Sequence, residues 1–158
     1  MALEILELHH HAVLVPLDLV EKSGDFYKEV MGLATDAGRL NIPHLPGYFL
    51  DLPNDTQIHL LGRDGSTPSY YATAPDQDPV SNHVALAVAD VQKSEQELIR
   101  LKVSYWILDN VASPELRQLF FRDPAGNVIE LHQIGKCRCK ASDRRFADAR
   151  RTSAVPLK

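Results

Sequence analysis

The sequence has few of the residues that mark secreted or membrane proteins. Only two of its 158 residues are cysteine, Cys137 and Cys139, and this pair is too small and too closely spaced for a disulfide framework. No apolar run approaches the roughly 20 residues of a membrane span. The segment 1–8 is too short and too acidic for a secretory signal. These absences predict a cytoplasmic protein with no membrane partner.

Positive charge is scarce outside the C-terminal segment. The net charge is −4, yet residues 136–158 hold 8 Lys or Arg and 2 Asp or Glu, so this segment carries +6 and the rest of the chain −10. An acidic body argues against nucleic-acid binding. Residues 135–158 have no periodic apolar pattern, which predicts a basic, flexible tail. Within it, Cys137-Arg-Cys139 offers two ligands for a soft metal, but no second pair of ligands is evident.

The most informative stretch runs from Phe120 to Gln133 and predicts two strands joined by a tight turn. Asp123-Pro-Ala-Gly126 has proline where φ near −65° is required and glycine where a positive φ is favoured. After the turn, Glu130 falls in the middle of a strand that is otherwise suited to burial. A buried lone carboxylate is costly, so Glu130 needs a cation, hydrogen bonds or a metal, unless this is an edge strand and Glu130 points to water.

Two segments repeat one pattern. In both, a histidine (His11 or His83) opens an apolar strand, an aspartate follows seven residues later, and a Lys-Ser pair lies in the next helix. From His83, 47 positions lead to Glu130, and from His11, 48 positions lead to His59. The chain therefore contains two copies of one unit, each with candidate metal ligands on its first and last strands.

The order of strand and helix patterns predicts a βαβββ plan for each unit. The units span about residues 5–61 and 83–134, and together they form one domain over residues 1–134. The linker, residues 62–82, is long for a simple connection and also suits a flap over a site. Each helix has one apolar stripe, so we expect an α+β fold in which the two modules form a curved mixed sheet with the helices on its outer face.

This plan and two motifs resemble the vicinal oxygen chelate superfamily, which includes glyoxalase I, extradiol dioxygenases, methylmalonyl-CoA epimerase and bleomycin-binding proteins. The resemblance covers residues 5–134 and implies the glyoxalase/bleomycin resistance/dihydroxybiphenyl dioxygenase-like fold and a homodimer. It does not specify the reaction, because one scaffold hosts many chemistries. The motifs are His11-Ala-Val-Leu-Val with Asp18-Leu-Val-Glu-Lys-Ser23 and Phe26-Tyr-Lys-Glu-Val-Met-Gly-Leu33, and Phe121-Arg-Asp-Pro-Ala-Gly-Asn-Val-Ile-Glu-Leu131.

The resemblance also implies a metal site. The ligand positions of the family fall on His11, His59, His83 and Glu130, and Gln57 replaces His59 if the register shifts by two. Nitrogen and oxygen ligands suit Zn, Ni, Co, Mn or Fe(II), so the identity of the divalent ion stays open. Glu130 is the only carboxylate of the four, and it can serve as a catalytic general base if it leaves the metal during turnover.

Three functions are compatible with this site. The first is a glyoxalase-I-like lyase or isomerase, in which the ion chelates vicinal oxygens of a small substrate and stabilises an enediolate-type anion. The second is an Fe(II)-dependent extradiol-type dioxygenase, which requires His59 to stay off the iron. The third is a metal-free small-molecule binding or resistance protein, against which four candidate ligands count. The candidate substrate-binding residues are Arg39, Asn41 and Arg117.

Overall fold

The computed structural model describes residues 2–65, 67–140 and 144. Within these residues the chain forms eight β-strands and two α-helices, and both halves follow the βαβββ plan. The first half contains β1 (Ile5–Val15), α1 (Val20–Glu29), β2 (Ala34–Thr35), β3 (Gly47–Asp51) and β4 (Gln57–Gly62). The second half contains β5 (His83–Val88), α2 (Val91–Arg100), β6 (Tyr105–Asp109), β7 (Arg117–Arg122) and β8 (Val128–Gln133).

All eight strands belong to one mixed sheet, in the order β2-β3-β4-β1-β5-β8-β7-β6. The first and last strands of each half pair in parallel, β1 with β4 and β5 with β8. The two first strands, β1 and β5, pair antiparallel and join the halves. The four strands that carry the candidate ligands are therefore neighbours at the centre of the sheet. The predicted α+β class and mixed sheet of two modules are confirmed.

Alternation along the strands separates an outer face, under the helices, from an inner face. On the outer face Val91 and Leu98 of α2 pack with Leu131 of β8, and Val20 of α1 packs with Leu60 of β4. Burying one such side chain is worth about 1.5–3 kcal/mol, so these contacts decide which residues of each strand face outward. The residues between them point to the inner face.

The connection between β1 and α1 is longer than its counterpart in the second half. Four residues, 16–19, separate β1 from α1, whereas two residues separate β5 from α2. The additional residues form a 3-10 turn at Leu17–Leu19, which contains Asp18. Asp90 caps α2 by accepting a hydrogen bond from the backbone N–H of Lys93, but α1 has no side-chain cap. Asp18 is therefore not equivalent to Asp90. Counting back seven residues from each aspartate to a histidine consequently misaligns the two halves.

Counting from the strand ends changes which histidine corresponds to His83. His83 lies five residues before the end of β5 at Val88, and His10 lies five residues before the end of β1 at Val15. His10 is buried on the inner face, whereas His11 is exposed. The prediction of His11 as the first-strand ligand is therefore corrected to His10, because a shift of one residue moves a strand side chain to the opposite face.

The segment after β8 returns over the inner face of the sheet. Cys137 and Cys139 are buried and are joined by a disulfide. Between them, Arg138 binds the carboxylate of Asp36 at 3.0 Å. Lys140 pairs with Glu7 near the start of β1.

Arg144 extends these contacts. It binds Asp51 at 2.6 Å and Asp36 at 3.2 Å. The predicted flexible tail therefore does not describe residues 136–140 and Arg144, and its remaining part, 141–143 and 145–158, lies outside the described residues. None of the helices in the described part of the chain is long and apolar enough to cross a membrane.

Candidate metal centre

Three buried side chains of the central strands direct their donor atoms at one point on the inner face. They are His10 of β1, His83 of β5 and Glu130 of β8, here called the triad. Nε2 of His83 lies 3.2 Å from Nε2 of His10 and 3.1 Å from Oε2 of Glu130. The same oxygen lies 3.5 Å from Nε2 of His10. No triad side chain is more than 4% exposed, so bulk water does not solvate these atoms.

The hydrogen bonds around the triad leave its three facing atoms as acceptors. Nδ1 of His83 lies 2.8 Å from the carbonyl oxygen of Ser81. A carbonyl only accepts, so Nδ1 carries the proton and Nε2 carries a lone pair. Nδ1 of His10 lies 3.2 Å from Sγ of Cys139, a disulfide sulfur that has no proton to donate, so Nε2 of His10 also carries a lone pair. Two nitrogen lone pairs and a carboxylate oxygen in contact repel one another, so a proton or a metal ion has to lie among them.

The spacing of the triad fits a divalent ion. Nitrogen and oxygen ligands lie about 2.1 Å from such an ion, which separates neighbouring ligand atoms by about 3.0 Å in an octahedral shell and about 3.4 Å in a tetrahedral one. The triad distances of 3.1, 3.2 and 3.5 Å cover this range. His10, His83 and Glu130 are therefore the residues that would hold a metal.

Two side chains hold Glu130 in place through its Oε1, so that Oε2 faces the two histidines of the triad. Nε2 of Gln118 donates to Oε1 of Glu130 at 2.8 Å, and Nδ1 of His132 lies 2.8 Å from the same oxygen. Burial opposes ionisation, but the contacts with His10, His132 and His83 outweigh it and hold the pKa of the Glu130 carboxyl well below its usual range. Burial also lowers the pKa of His10 to about 4. At pH 7 the triad therefore combines a carboxylate with neutral imidazole.

His59 lies beside the triad, but its ring is engaged elsewhere. The ring stacks between Phe49 and His10, with centroids 3.5 and 3.8 Å away. Nε2 of His59 lies 2.8 Å from Oε1 of Gln57, and the Gln57 amide donates to Oδ1 of Asp51 at 2.8 Å. Because the carboxylate of Asp51 fixes the Gln57 amide, Nε2 of His59 is the donor and Nδ1 keeps the lone pair. Burial and the nearby His10 lower the pKa of His59 well below its usual value, so the ring is neutral at pH 7.

The structure brings three of the four predicted ligands to this site, whereas the fourth, His11, is exposed. His83 and Glu130 belong to the triad, and His59 contacts the ring of His10. Donor atoms of His10, His83 and Glu130 lie within 4.8 Å of one another, whereas His59 belongs to a different group, with His10 and Cys139. Sequence reasoning missed His10, although the equal distances from His10 and His83 to the ends of their apolar strands carried the signal.

A cavity that is partly open to solvent lies over the triad. Its wall is mostly apolar and includes residues 137–139 of the C-terminal segment. Gln118 also lines it, and its Oε1 has no hydrogen-bond partner among the described residues. The apolar wall includes Ile42, Leu45, Leu61, Val80, Leu116 and Phe120.

The three predicted substrate-binding residues do not line this cavity. Arg117 lies on the outer face and binds Glu95 of α2 at 3.0 Å. Asn41 is exposed. The guanidinium of Arg39 packs 4.8 Å from the ring centroid of Phe49 and so supports the ring that stacks on His59.

The two halves of one chain complete the triad, since His10 comes from the first half and His83 and Glu130 come from the second. A site shared between two chains is therefore not needed to bring these ligands together. The homodimer stays a prediction.

No protein-family model and no protein of curated function matches the chain. Solved structures do match it. A methylmalonyl-CoA epimerase from Mycobacterium tuberculosis superposes with a TM-score of 0.62 and 22% identity, over 84% of this chain and 91% of that chain. A Streptomyces coelicolor methylmalonyl-CoA epimerase in complex with 2-nitronate-propionyl-CoA has a TM-score of 0.57 and 15% identity, over 82% and 98%.

A larger enzyme contains the same architecture. The 2,3-dioxygenase LapB from Pseudomonas sp. KL28 superposes with a TM-score of 0.56 and 19% identity, over 87% of this chain but 43% of that chain. All three are vicinal oxygen chelate proteins. The resemblance seen in the sequence is therefore confirmed at the level of the fold: this chain has the vicinal oxygen chelate fold.

Proposed function

We propose that the chain is a metal-dependent enzyme with glyoxalase-I-like lyase or isomerase chemistry, in which a proton is moved on a small substrate that bears vicinal oxygens. A divalent ion held by His10, His83 and Glu130 would supply a Lewis acid for those oxygens. The observation that supports the proton transfer is the position of His59, a neutral imidazole stacked on the ring of a triad histidine.

His59 has the arrangement of a general base. Nε2 of His59 donates to Gln57, which in turn donates to Asp51, so Nδ1 is the nitrogen that can accept a proton. When His59 becomes positively charged, the Gln57 carbonyl and the Asp51 carboxylate stabilise that charge through the same two hydrogen bonds. His59, Gln57 and Asp51 thus form a chain of base, orienting amide and carboxylate. Other enzymes orient a histidine base through a third group in the same way.

Glu130 was the base suggested by the sequence, and the structure supports a different role for it. Gln118 and His132 bind its Oε1, and its Oε2 contacts His83. A carboxylate whose two oxygens both have partners is restrained. It therefore suits a fixed metal ligand better than a base that has to leave the metal during turnover. We therefore assign proton transfer to His59 and metal binding to Glu130.

The lining of the cavity supports this substrate class. An apolar wall surrounds a triad that would bind oxygens, so the substrate has vicinal oxygens at one end and an apolar substituent at the other. Oε1 of Gln118 is buried without a partner among the described residues, and it can accept a hydrogen bond from a substrate hydroxyl.

A dioxygenase is the second candidate, and one observation favours it. With Nε2 of His59 bound to Gln57, the triad is a set of two histidines and one carboxylate. This ligand set is typical of non-haem Fe(II) oxygenases, in which substrate and O₂ take the open positions. The same geometry therefore supports both reactions, and activity with different metal ions has to distinguish them.

The deciding experiment loads the protein separately with Zn, Ni, Mn and Fe(II) under anaerobic conditions. Each form is assayed with the hemithioacetal of a 2-oxoaldehyde and a small thiol and, in an oxygen electrode, with catechols. The proposal expects hemithioacetal turnover with a redox-inactive ion and no oxygen uptake. Oxygen uptake with Fe(II) alone would overturn it in favour of the dioxygenase. Failure of every ion to bind would favour a metal-free binding protein.

A further inference from the structure

A second group of metal-binding side chains lies next to the triad and shares none of its residues. It consists of His9, His132, Cys137 and Cys139, here called the Cys-His cluster. One donor atom from each residue lies within 4.8 Å of every other, and all four residues are buried. His9 and His132 have no exposed surface. The sequence showed the two cysteines, and the fold supplies the pair of histidines that was missing.

The two imidazoles of the cluster face each other with their acceptor nitrogens. Nδ1 of His132 lies 2.8 Å from Oε1 of Glu130, and Nε2 of His9 lies 3.1 Å from Oε1 of Glu7. Each carboxylate accepts a hydrogen bond from the ring N–H next to it, which leaves lone pairs on Nε2 of His132 and Nδ1 of His9. These two nitrogens lie 2.6 Å apart. Two lone pairs at that distance share a proton, and a metal ion that replaces this proton would move the two nitrogens apart to about 3.4 Å.

The outer hydrogen bonds of both rings have the form found around metal-bound histidines. A histidine ligand commonly donates its second ring N–H to a carboxylate, which fixes the tautomer and the orientation of the ring. His132 and His9 each have such a carboxylate, Glu130 and Glu7. The carboxylate of Glu7 is in turn held by Lys140.

Local structure explains why these residues converge. The pairing of β1 with β5 is irregular between Leu8 and His10, and this bulge accommodates His9 so that His9 and His10 are both buried. After β8 the chain turns at Gly135, whose φ is +75°, and carries the cysteines back over the sheet. The backbone N–H of Cys139 donates to Sγ of Cys137 at 3.0 Å. An N–H directed at sulfur favours a thiolate when the bond between the sulfurs is open.

We propose that the reduced chain binds a thiophilic divalent ion, of which Zn²⁺ is the type, at the Cys-His cluster, as a second centre separate from the triad. Two thiolates and two imidazoles are a tetrahedral ligand set that zinc favours. In the present structure the two sulfurs are bonded to each other, so the centre forms only after reduction. A dithiol reductant supplies two electrons and two protons, is itself oxidised to a disulfide, and converts the cysteines to thiols. Binding of the ion then releases those two protons to solvent.

Occupancy of this centre would act on the triad and on the C-terminal segment. An ion on Nε2 of His132 keeps the proton on Nδ1, and that proton is donated to Glu130 of the triad. The same ion would tie Cys137 and Cys139, which line the cavity, to the sheet. The cluster therefore links the redox state of the cysteines to the wall of the cavity and to the orientation of a triad ligand.

The first test compares oxidised and reduced full-length protein titrated with Co²⁺ without oxygen, with a phosphine as reductant because it does not compete through sulfur. We expect the reduced protein to bind one more equivalent than the oxidised protein. The additional ion should show a thiolate-to-cobalt charge-transfer band and the intense visible bands of tetrahedral Co²⁺. Equal stoichiometry in both states, or a reduced form without the thiolate band, would overturn the proposal. This comparison needs no variant.

Variants then assign the ligands. Cys137→Ser with Cys139→Ser should lose the thiolate band and one equivalent of cobalt, and His9→Gln should weaken the band, whereas His11→Gln is the matched control and should leave it unchanged. His83→Ala disables the triad and should keep the band. Loss of the band in His83→Ala would assign the sulfur to the triad, since Sγ of Cys139 lies 3.2 Å from His10, and would overturn a separate centre. Circular dichroism checks that each variant is folded.

Discussion

The Nε2 atoms of His10 and His83 lie 3.2 Å apart, although 73 residues separate the two histidines in the chain. Each lies five residues before the end of the first strand of its half, and those two strands pair antiparallel at the centre of the sheet. The repeat therefore places one histidine from each half at the same point, with Glu130 on the adjacent strand. This relationship makes the triad a product of the internal symmetry of the fold.

Metal binding should depend on His10 and not on its neighbour. We expect His10→Ala to weaken Zn²⁺ binding at the triad by more than the roughly 10–100-fold that loss of an outer partner costs. His11→Ala should leave binding unchanged, because its side chain is exposed. The measurement is competition with a chromogenic chelator in non-reducing buffer, where the cysteines stay bonded. Equal affinity in the two variants would remove His10 from the metal.

His59 should affect turnover without affecting metal content. If His59 is the general base, His59→Gln should lower kcat about 10²–10⁴-fold on a substrate of the proposed class. Metal content, measured by elemental analysis, should stay at the wild-type level, because Nε2 of His59 is bound to Gln57. A variant that loses metal in parallel with activity would show that His59 is a ligand.

Gln118 should tune the triad through Glu130. Its Nε2 donates to Oε1 of Glu130 at 2.8 Å, so Gln118→Leu removes an orienting hydrogen bond at nearly constant volume. We expect a loss of about 10–100-fold in metal affinity. Gln133→Leu, a change at the neighbouring strand end, serves as the control. If Gln118→Leu binds metal as tightly as the wild type, the hydrogen bond does not orient the ligand.

Asp36 should make the packing of the C-terminal segment sensitive to acid. Burial would raise the pKa of Asp36, but hydrogen bonds from Arg138 and Gly38 and the charge of Arg144 outweigh it and place the pKa below its ordinary 3.8. Because the folded-state pKa is lowered, the stabilisation is fully present above pH 3.8 and is lost as pH falls through the folded-state value.

Thermal unfolding of Asp36→Asn tests this linkage. Near pH 6 the variant should be less stable by about 3 kcal/mol, since it removes a buried carboxylate that both Arg138 and Arg144 bind. For a chain of this size that corresponds to a fall in Tm of roughly 6–12 °C. The difference from wild type should shrink below about pH 4, and Asp18→Asn should show no effect. A difference that is constant with pH would assign the effect to packing and not to charge.

The amino-acid sequence by itself determined the features that depend on local pattern and on repetition. The turn from Asp123 to Gly126 needed only its proline and its glycine, and Gly126 has the expected positive φ, +89°. The two βαβββ units followed from one pattern met twice. His83 and Glu130 could be placed because only two residues separate β5 from α2 and Asp90 caps that helix. Counting along the second half therefore assigned both side chains to the inner face of the sheet.

Tertiary structure decided whatever depends on the pairing of distant segments. The choice between His10 and His11 depends on the 3-10 turn between β1 and α1, which displaces Asp18 relative to Asp90. The burial of His9 beside His10 depends on a bulge that exists only through the pairing of β1 with β5. The role of His59 depends on Gln57 being held by Asp51.

The contacts of the C-terminal segment and of the outer face also depend on segments that are distant in the chain. Arg117 was predicted to bind substrate, but it meets Glu95 of a helix that lies on the opposite face of the sheet. Cys137 and Cys139 meet His9 and His132 only because the chain turns back after β8. A sequence pattern shows which face of its own strand a residue takes, whereas the partner across the sheet is set by register and by loop length.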